Sequence, residues 1–255
     1  MHPTQTPTEP ETRKRPLAQA RADAEAFAAL FTRDHVVRWQ VAGSVRRREP
    51  LVSDVDHVVV PRFGELPAAD LFRTPERTNL LWHHLDALVA GRHVDKWVRA
   101  NGTVCWGDKQ RAVLFRGFKH EVWTADADNW GSVLAIRTGP GEFSHRLVID
   151  LQKHGHANAD GYVVSNHDWR CPCGWAGPDP AWLPIAEARR LIGRLELDGT
   201  SVVRAPGDAK EAAARCPACG TGTKLFRARV PAPDEATYFR LAGAAAVPAP
   251  WDRRA

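Results

Sequence analysis

One short segment constrains this chain most, a buried strand that begins with two acidic residues. The β-branched run from Val55 to Val60 predicts the strand, and Asp54 and Asp56 stand at its start. Side chains two residues apart point to the same face of a strand, so both carboxylates project together while Val55 turns to the core. Two neighbouring carboxylates repel each other unless a cation lies between them. The pattern therefore predicts a divalent-cation site, with a solvated acidic strand end as the alternative.

The residues ahead of this strand combine several ways of holding a phosphate group. Gly43 lets the backbone approach a phosphate closely, and Ser44 adds a hydroxyl to the backbone N–H donors. Arg46 and Arg47 each supply a planar guanidinium that can bind two phosphate oxygens. Glycine, serine and paired arginines before the two aspartates predict a loop that cradles a triphosphate. A solvated arginine turn is the simpler alternative.

The composition indicates a soluble, mildly basic protein with a sizeable core. The chain has 255 residues, 44% of them hydrophobic, and a formal net charge of +5. Most of its basic residues are arginine, which favours a polyanionic partner. The sequence contains neither an apolar stretch of transmembrane length nor the apolar region of a secretory signal. We therefore expect a cytoplasmic monomer without a membrane partner.

Alternating helix and strand patterns predict a mixed α/β layer up to about residue 150. Apolar residues at helical spacing follow Pro16, and a second helix is expected from Thr74 and Pro75, as cap and first helical residue, to Gly91. Further elements are expected at Val36 to Val41 (strand), Gln110 to Phe115 with Phe118 to Thr124 (hairpin), and 128–139, Glu142 to Lys153 and Pro233 to Leu241 (helices).

Two cysteine pairs lie in a segment rich in glycine and proline. Cys171 and Cys173 make the first pair, and Cys216 and Cys219 make the second. Each short turn presents two sulfurs to one ion, and four sulfurs complete the tetrahedron that Zn²⁺ prefers. Because the first pair is one residue shorter than a usual zinc knuckle, His167 is a substitute ligand to consider. We predict structural zinc, with a redox pair and unrelated free thiols as the alternatives.

The phosphate loop and the acidic strand together resemble the polymerase X family, the DNA polymerase beta-like nucleotidyltransferases. The family pattern is Gly-Ser-x-Arg-Arg and then, after a short loop, Asp-x-Asp. The matching residues are Gly43, Ser44, Arg46, Arg47, Asp54 and Asp56. The resemblance continues through the hairpin to Val122 and from Asn129 to Gly139. It is weaker in the thumb-like segments 161–167, 236–243 and 247–250.

The resemblance implies a fold and a set of site residues. The implied fold is an α+β nucleotidyltransferase palm with a mixed sheet and helices, followed by a small thumb that a four-cysteine zinc ribbon interrupts. Asp54, Asp56 and Glu121 would be the catalytic residues and would hold Mg²⁺ or Mn²⁺. Ser44 and Arg47 would hold the β and γ phosphates. The implied nucleotide-binding residues are Gly43, Ser44, Arg46, Arg47, Arg137, Thr138 and Gly139.

Three departures from the family pattern modify these expectations. The third carboxylate is usually aspartate, and the longer Glu121 implies reduced activity or a preference for Mn²⁺. Ile136 and Arg137 replace a Tyr-Phe pair that lies near the incoming sugar, so the choice between deoxy- and ribonucleotides stays open. The helix-hairpin-helix and lyase domain of many members does not fit ahead of residue 17, so we expect no lyase activity.

The implied reaction adds nucleotides from a nucleoside triphosphate to a DNA 3′-hydroxyl, in the short-gap filling or end processing of DNA repair. Two alternatives stay open. One is transfer to RNA or to a protein hydroxyl, and the other is a catalytically weak, zinc-containing module that binds nucleic acid. The expected domains are a disordered tail (1–14), the palm (15–153), a zinc-binding insertion (171–223) and thumb-like parts (154–170 and 224–255).

Overall fold

The structure, a computed structural model, describes residues 14–66, 77–178, 181–184, 202–203, 212–219 and 226–253. The helices in these ranges are α1 (Leu17–Ala28), α2 (Gly43–Arg47), α3 (Leu80–Ala90), α4 (Trp130–Thr138), α5 (Gly141–Lys153), α6 (Glu235–Leu241) and a short 3-10 helix (Pro250–Asp252). None of these helices is both long enough and apolar enough to cross a membrane.

Strands account for most of the remaining regular structure in the described ranges. They are β1 (Arg15–Pro16), β2 (Val36–Val41), β3 (Leu51–Val52), β4 (Val55–Pro61), β5 (Phe63–Glu65), β6 (Arg77–Asn79), β7 (Asp95–Lys96), β8 (Gln110–Phe115), β9 (Phe118–Thr124), β10 (His156–Ala159), β11 (Tyr162–Arg170), β12 (Ala176–Gly177), β13 (Ala181–Pro184), β14 (Val202–Val203), β15 (Ala212–Arg215) and β16 (Phe226–Val230).

A five-stranded mixed sheet with the strand order β2-β4-β9-β8-β7 positions the acidic residues. β4 and β9 are parallel, whereas the other neighbouring strands are antiparallel. In the parallel pair Asp56 is in register with Glu121, and Val55 is in register with His120. The predicted hairpin of β8 and β9 is confirmed, and it turns at Arg116 and Gly117, both with positive φ.

The two faces of this sheet are covered by different helices. Phe27 of α1 and Leu85 of α3 pack with Val59 of β4 in one buried cluster. Because side chains alternate along β4, the next residue, Val58, faces the other way and packs with Trp130 of α4. Full burial of each of these side chains stabilises the fold by about 1.5–3 kcal/mol. The predicted first helix and the predicted buried strand are both confirmed.

The start of α3 differs from the sequence prediction. Thr74 and Pro75, the predicted cap and first helical residue, lie outside the described residues. The helix begins instead at Leu80, and the Asn79 side chain caps it by accepting a hydrogen bond from the Trp82 backbone N–H. The residues just before this helix are not helical because β6 pairs with β5. Strand pairing therefore moves the helix start beyond the predicted proline.

The chain divides into two compact units. One consists of Met1–Leu147, Ala232–Arg240 and Ala244–Ala255, and the other of Val148–Pro231 and Leu241–Gly243. The second unit contains a four-stranded sheet in which β11 pairs with β10, β12 and β16. It also contains a three-stranded sheet with the order β13-β15-β14. The C-terminal segment, which the sequence analysis joins to the thumb-like part, is thus shared between the two units.

Candidate active site

Three carboxylates meet on one face of the sheet near the start of β4. Because β4 and β9 are parallel and in register, Asp56 lies beside Glu121, and Asp54 precedes Asp56 by two residues. Burial, and then the charges of Asp54 and Glu121, raise the pKa of Asp56 to about 7. The structure therefore brings together the three residues that the sequence predicted as metal ligands.

This carboxylate cluster has the chemistry of a divalent-cation site. Carboxylate oxygens are the side-chain ligands that Mg²⁺ and Mn²⁺ prefer. A nearby cation favours the charged form of an acid, whereas the two neighbouring carboxylates disfavour it at Asp56. The raised pKa of Asp56 thus reflects a repulsion that a bound cation would relieve. The chemistry of this donor set suits the metal that the sequence predicted.

Two side chains that the sequence analysis missed hold Glu121 in place. The Lys119 ammonium forms an ion pair with Oε1 of Glu121 and lies 3.4 Å from Oδ2 of Asp54. Nε2 of Gln110 donates a hydrogen bond to Oε2 of Glu121 across 2.9 Å. Lys119 and Glu121 are two residues apart on β9, so their side chains lie on the same face of the strand. This spacing could have placed the lysine at the site from the sequence alone.

Trp123 continues the same alternation and belongs to the site. Its side chain is half-buried, and its indole N–H donates to Oδ1 of Asp56 across 3.2 Å. The guanidinium of Arg137 lies over the indole, 3.3 Å from the ring centroid. Burial lowers the pKa of Arg137 despite the opposing charges of Asp56 and Glu121. Arg137, a predicted nucleotide-binding residue, therefore lies beside the carboxylate cluster.

The predicted phosphate loop folds as the short helix α2 against Asp56. Gly43 has a φ of +59°, and an added Cβ would lie 2.1 Å from Oδ2 of Asp56. Only glycine therefore fits this close approach. The Oγ atom of Ser44 is buried and has no hydrogen-bond partner among the described residues. A buried hydroxyl of this kind needs a partner that a phosphate oxygen could supply.

The two arginines of α2 contact protein groups in this structure. Arg46 donates to both carboxylate oxygens of Glu235, at 2.9 and 2.6 Å, and to the Thr138 hydroxyl at 2.7 Å. Arg47 donates to the Thr138 carbonyl oxygen across 2.6 Å. Glu235 also accepts from Arg253 across 2.7 Å. These contacts tie the phosphate loop to the end of α4 and to α6, and no sequence signal pointed to Glu235.

A cavity of about 380 Å³ opens beside the carboxylate cluster. It is lined by Trp97, Arg99, Ala100, Asn101, Cys105, Ala112, Lys119 and Glu121. Cys105 is half-buried on this wall, and burial raises the pKa of its thiol. The cavity places an aromatic ring and two cationic side chains next to a predicted metal ligand.

No family model and no curated protein matches this sequence. The structure is similar to the crystal structure of Leishmania infantum polymerase beta in a ternary gap complex, with a TM-score of 0.56 and 16% identity over 94% of this chain and 70% of that one. It is also similar to the same enzyme in a ternary P/T complex, with a TM-score of 0.55 and 15% identity over 96% and 78% of the two chains. The chain has a polymerase beta-like fold.

The polymerase beta-like fold confirms the predicted fold class, a mixed α+β palm with a four-cysteine cluster further along the chain. At 15 and 16% identity the likeness shows the fold alone. The roles that the sequence resemblance implied for Asp54, Asp56 and Glu121 remain predictions, as do those of the phosphate-loop residues.

The four cysteines of this polymerase beta-like chain come together in the second unit. Their Sγ atoms all lie within 4.8 Å of one another. The pairs Cys171–Cys219 and Cys173–Cys216 are each separated by 3.6 Å. A tetrahedral Zn²⁺ with Zn–S bonds of about 2.3 Å requires sulfurs about 3.8 Å apart, so the cluster fits this ion. His167, the substitute ligand considered from the sequence, is not part of the cluster.

The cysteine cluster is partly buried against aromatic side chains, as expected for a structural metal site. Cys171 and Cys216 are buried against Trp169 and Trp175. The first turn is closed by a hydrogen bond from the Cys171 backbone N–H to the Trp175 carbonyl oxygen across 2.8 Å. Trp169 is 2% exposed, so its ring packs in the interior beside the cluster.

Proposed function

We propose that this chain is a metal-dependent nucleotidyltransferase that adds nucleotides from a nucleoside triphosphate to the 3′-hydroxyl of DNA. The observation that carries the proposal is the parallel register of Asp56 with Glu121, which groups three carboxylates next to the Gly43 turn. Phosphoryl transfer needs this combination, because its catalysis rests on positioning and on neutralising negative charge. The polymerase beta-like fold supports the same reaction class.

The nucleoside triphosphate would lie between α2 and the carboxylates. The unpartnered hydroxyl of Ser44 supports a phosphate contact there, because a buried donor without a partner costs about 1–3 kcal/mol. Gly43 supports it as well, since the absence of a side chain keeps the space beside Asp56 open. Arg137 adds a positive charge close enough to Asp56 to favour its charged form.

The chain's own residues would position the reacting groups. The 3′-hydroxyl oxygen attacks the α-phosphorus, and pyrophosphate leaves. Divalent cations bound by Asp54, Asp56 and Glu121 would neutralise the triphosphate and lower the pKa of the attacking hydroxyl. The indole N–H of Trp123 and the amide of Gln110 would each hold one carboxylate in a single orientation.

Gapped DNA is the acceptor that we propose to test first. One of the similar structures is polymerase beta in a ternary gap complex, which supports DNA with a short gap as the acceptor. The mildly basic composition, with a net charge of +5, supports a polyanionic partner. A structural Zn²⁺ at the four cysteines would stabilise the second unit without taking part in the chemistry.

The test is extension of a labelled primer on gapped duplex DNA, with Mg²⁺ or Mn²⁺ and with deoxy- or ribonucleoside triphosphates. We expect metal-dependent extension by the wild-type chain and a loss of at least about 10³-fold with Asp54→Ala. Glu142→Ala, which removes an exposed carboxylate of α5, is the matched control and should extend normally.

The same assay separates the alternative functions. If an RNA primer were extended or a protein acceptor labelled, and DNA were not extended, the proposed acceptor would be wrong. The proposed reaction class would still hold. DNA binding without metal-dependent release of pyrophosphate would favour a catalytically weak binding module. Equal extension by the wild-type chain and Asp54→Ala would refute the proposed metal site.

A further inference from the structure

We propose that Lys119 is an internal cation of this site, which neutralises Asp54 and Glu121 in the free protein and must leave them when a divalent cation binds. The inference rests on the proposed function only in assigning a divalent cation to these carboxylates. Its new element is that the divalent cation replaces the lysine ammonium when it binds. Metal affinity in the free protein is therefore set partly by this lysine.

The contacts of Lys119 carry the inference. Its ammonium forms an ion pair with Oε1 of Glu121 and lies 3.4 Å from Oδ2 of Asp54. It thus bridges two carboxylates that are both predicted to ligate metal, Asp54 just before β4 and Glu121 on β9. An ammonium group and a metal ion both bind carboxylate oxygens by charge, so they compete for the same oxygens.

The pair is shielded well enough for this competition to matter. The side chains of Lys119 and Glu121 are only 18% and 16% exposed, so solvent and salt screen their attraction less than at a surface pair. A lysine ammonium with its ordinary pKa is charged at neutral pH, so the competitor carries a full positive charge.

The structure also provides a place for the displaced ammonium. Lys119 and Glu121 both line the cavity of about 380 Å³, whose wall includes Trp97. The Lys119 Nζ atom already lies 5.7 Å from the centroid of that indole ring. A lysine has a flexible four-carbon stem, and an ammonium over an indole face is favourable. A short rotation would thus exchange carboxylate contacts for a cation–π contact and water.

Binding of Mn²⁺ to the full-length, zinc-loaded protein tests the exchange without any activity assay. Free Mn²⁺ is followed by electron paramagnetic resonance, in the absence of DNA and nucleotide. We expect Lys119→Met to bind Mn²⁺ roughly tenfold or more tightly than the wild type, because the competing charge is gone. Lys119→Arg keeps the charge and should bind about as the wild type does.

Three further variants keep the result interpretable. Lys96→Met removes an exposed ammonium from β7, which β8 separates from β9, and should leave Mn²⁺ affinity near the wild-type value. Lys119→Gln repeats the charge removal with a polar side chain, in case methionine disturbs the fold. Asp54→Asn should weaken Mn²⁺ binding and so locate the ion at this site.

The outcomes distinguish this inference from the proposed function. Equal or weaker Mn²⁺ binding by both Lys119→Met and Lys119→Gln, with Asp54→Asn still defective, would overturn the exchange and leave the metal site standing. Tighter binding by Lys119→Arg as well would also overturn it, because charge would then not be the cause. If Asp54→Asn bound Mn²⁺ as tightly as the wild type does, both the exchange and the metal site would be overturned.

Discussion

The indole N–H of Trp123 donates a hydrogen bond to Oδ1 of Asp56 across 3.2 Å, while Arg137 covers the same indole at 3.3 Å from its centroid. One aromatic side chain therefore orients a predicted metal ligand and holds a cation beside it. The hydrogen bond favours the charged form of Asp56, against the burial and the neighbouring carboxylates that raise its pKa.

Trp123→Phe should move the acid limb of Mn²⁺ binding to the free protein to higher pH, because protons and the metal compete for Asp56. The change removes the N–H donor and keeps a ring for Arg137, so the pKa of Asp56 should rise above about 7. A hydrogen bond of this kind corresponds to about half to one pH unit. Mn²⁺ affinity measured at a series of pH values, without DNA and nucleotide, gives the profile and its shift. Trp106→Phe, whose indole N–H donates to Asp86, should leave the profile in place, and an unmoved limb in Trp123→Phe would contradict the assignment.

Gly43→Ala should reduce transfer by about 100-fold or more, because the new methyl group would lie 2.1 Å from Oδ2 of Asp56. Its positive φ of +59° adds a strain of about 1–2 kcal/mol. Gly102→Ala is the matched control, since its φ is +78° and no heavy atom lies within 4 Å of the added Cβ. Primer-extension rates and thermal unfolding of both variants separate the two effects. Comparable extension rates in Gly43→Ala and Gly102→Ala would show that the close approach of residue 43 to Asp56 is unimportant.

Glu235→Gln should lower the free energy of unfolding by about 3–5 kcal/mol, because it leaves two largely buried guanidinium groups without their counter-charge. Burial alone raises the pKa of Glu235, but hydrogen bonds from Arg46 and Arg253 outweigh it and hold the pKa low. Urea denaturation measures the loss. Glu49→Gln, which removes the exposed partner of Arg47, should change stability by less than about 0.5 kcal/mol, and equal losses would contradict the buried pairing.

Acid should destabilise the protein through a buried histidine pair. His57 Nδ1 accepts from the Trp39 indole, and His57 Nε2 lies 3.0 Å from His120 Nδ1. Burial lowers the pKa of His120 to about 3 and that of His57 well below its usual 6.5. Both stay neutral in the fold while the unfolded chain takes up protons, so stability is full above about pH 6.5 and falls towards pH 3.

The slope of that loss is measurable by denaturation at a series of pH values. Each histidine contributes at most about 1.4 kcal/mol per pH unit below about pH 6.5. His120→Gln should make the slope shallower, while His93→Gln, at an exposed position, should not. A slope that is the same in His120→Gln and in the wild type would contradict the buried neutral pair.

Removal of Zn²⁺ should unfold the cysteine cluster. We expect one Zn²⁺ per chain in the wild type, its loss in Cys216→Ser, and its retention in Cys105→Ser, because Cys105 lies outside the cluster. Metal analysis of the purified variants measures the content, and a chelator titration followed by tryptophan fluorescence reports on Trp169 and Trp175 beside the sulfurs. Metal-free wild-type protein with unchanged fluorescence would contradict a structural zinc site.

Much of the site could be predicted because its signals are local. The alternation of Asp54 and Asp56 on a β-branched strand depends only on strand geometry, and so does the pairing of cysteines in short turns. The mixed α+β fold followed from the order of periodic segments and from the resemblance. The start of α3 could not be predicted, because pairing between β5 and β6 ends just before Leu80.

The sequence by itself determined which residue types stand at each position of β4 and β9, and hence that Asp56 and Glu121 are candidates for metal ligands. Only the tertiary structure decided which of these residues lie next to each other. The parallel register that sets Glu121 beside Asp56 and the pairing of Arg46 with Glu235 join residues far apart in the chain. No local pattern encodes such contacts, because they form only when separate elements pack into one core.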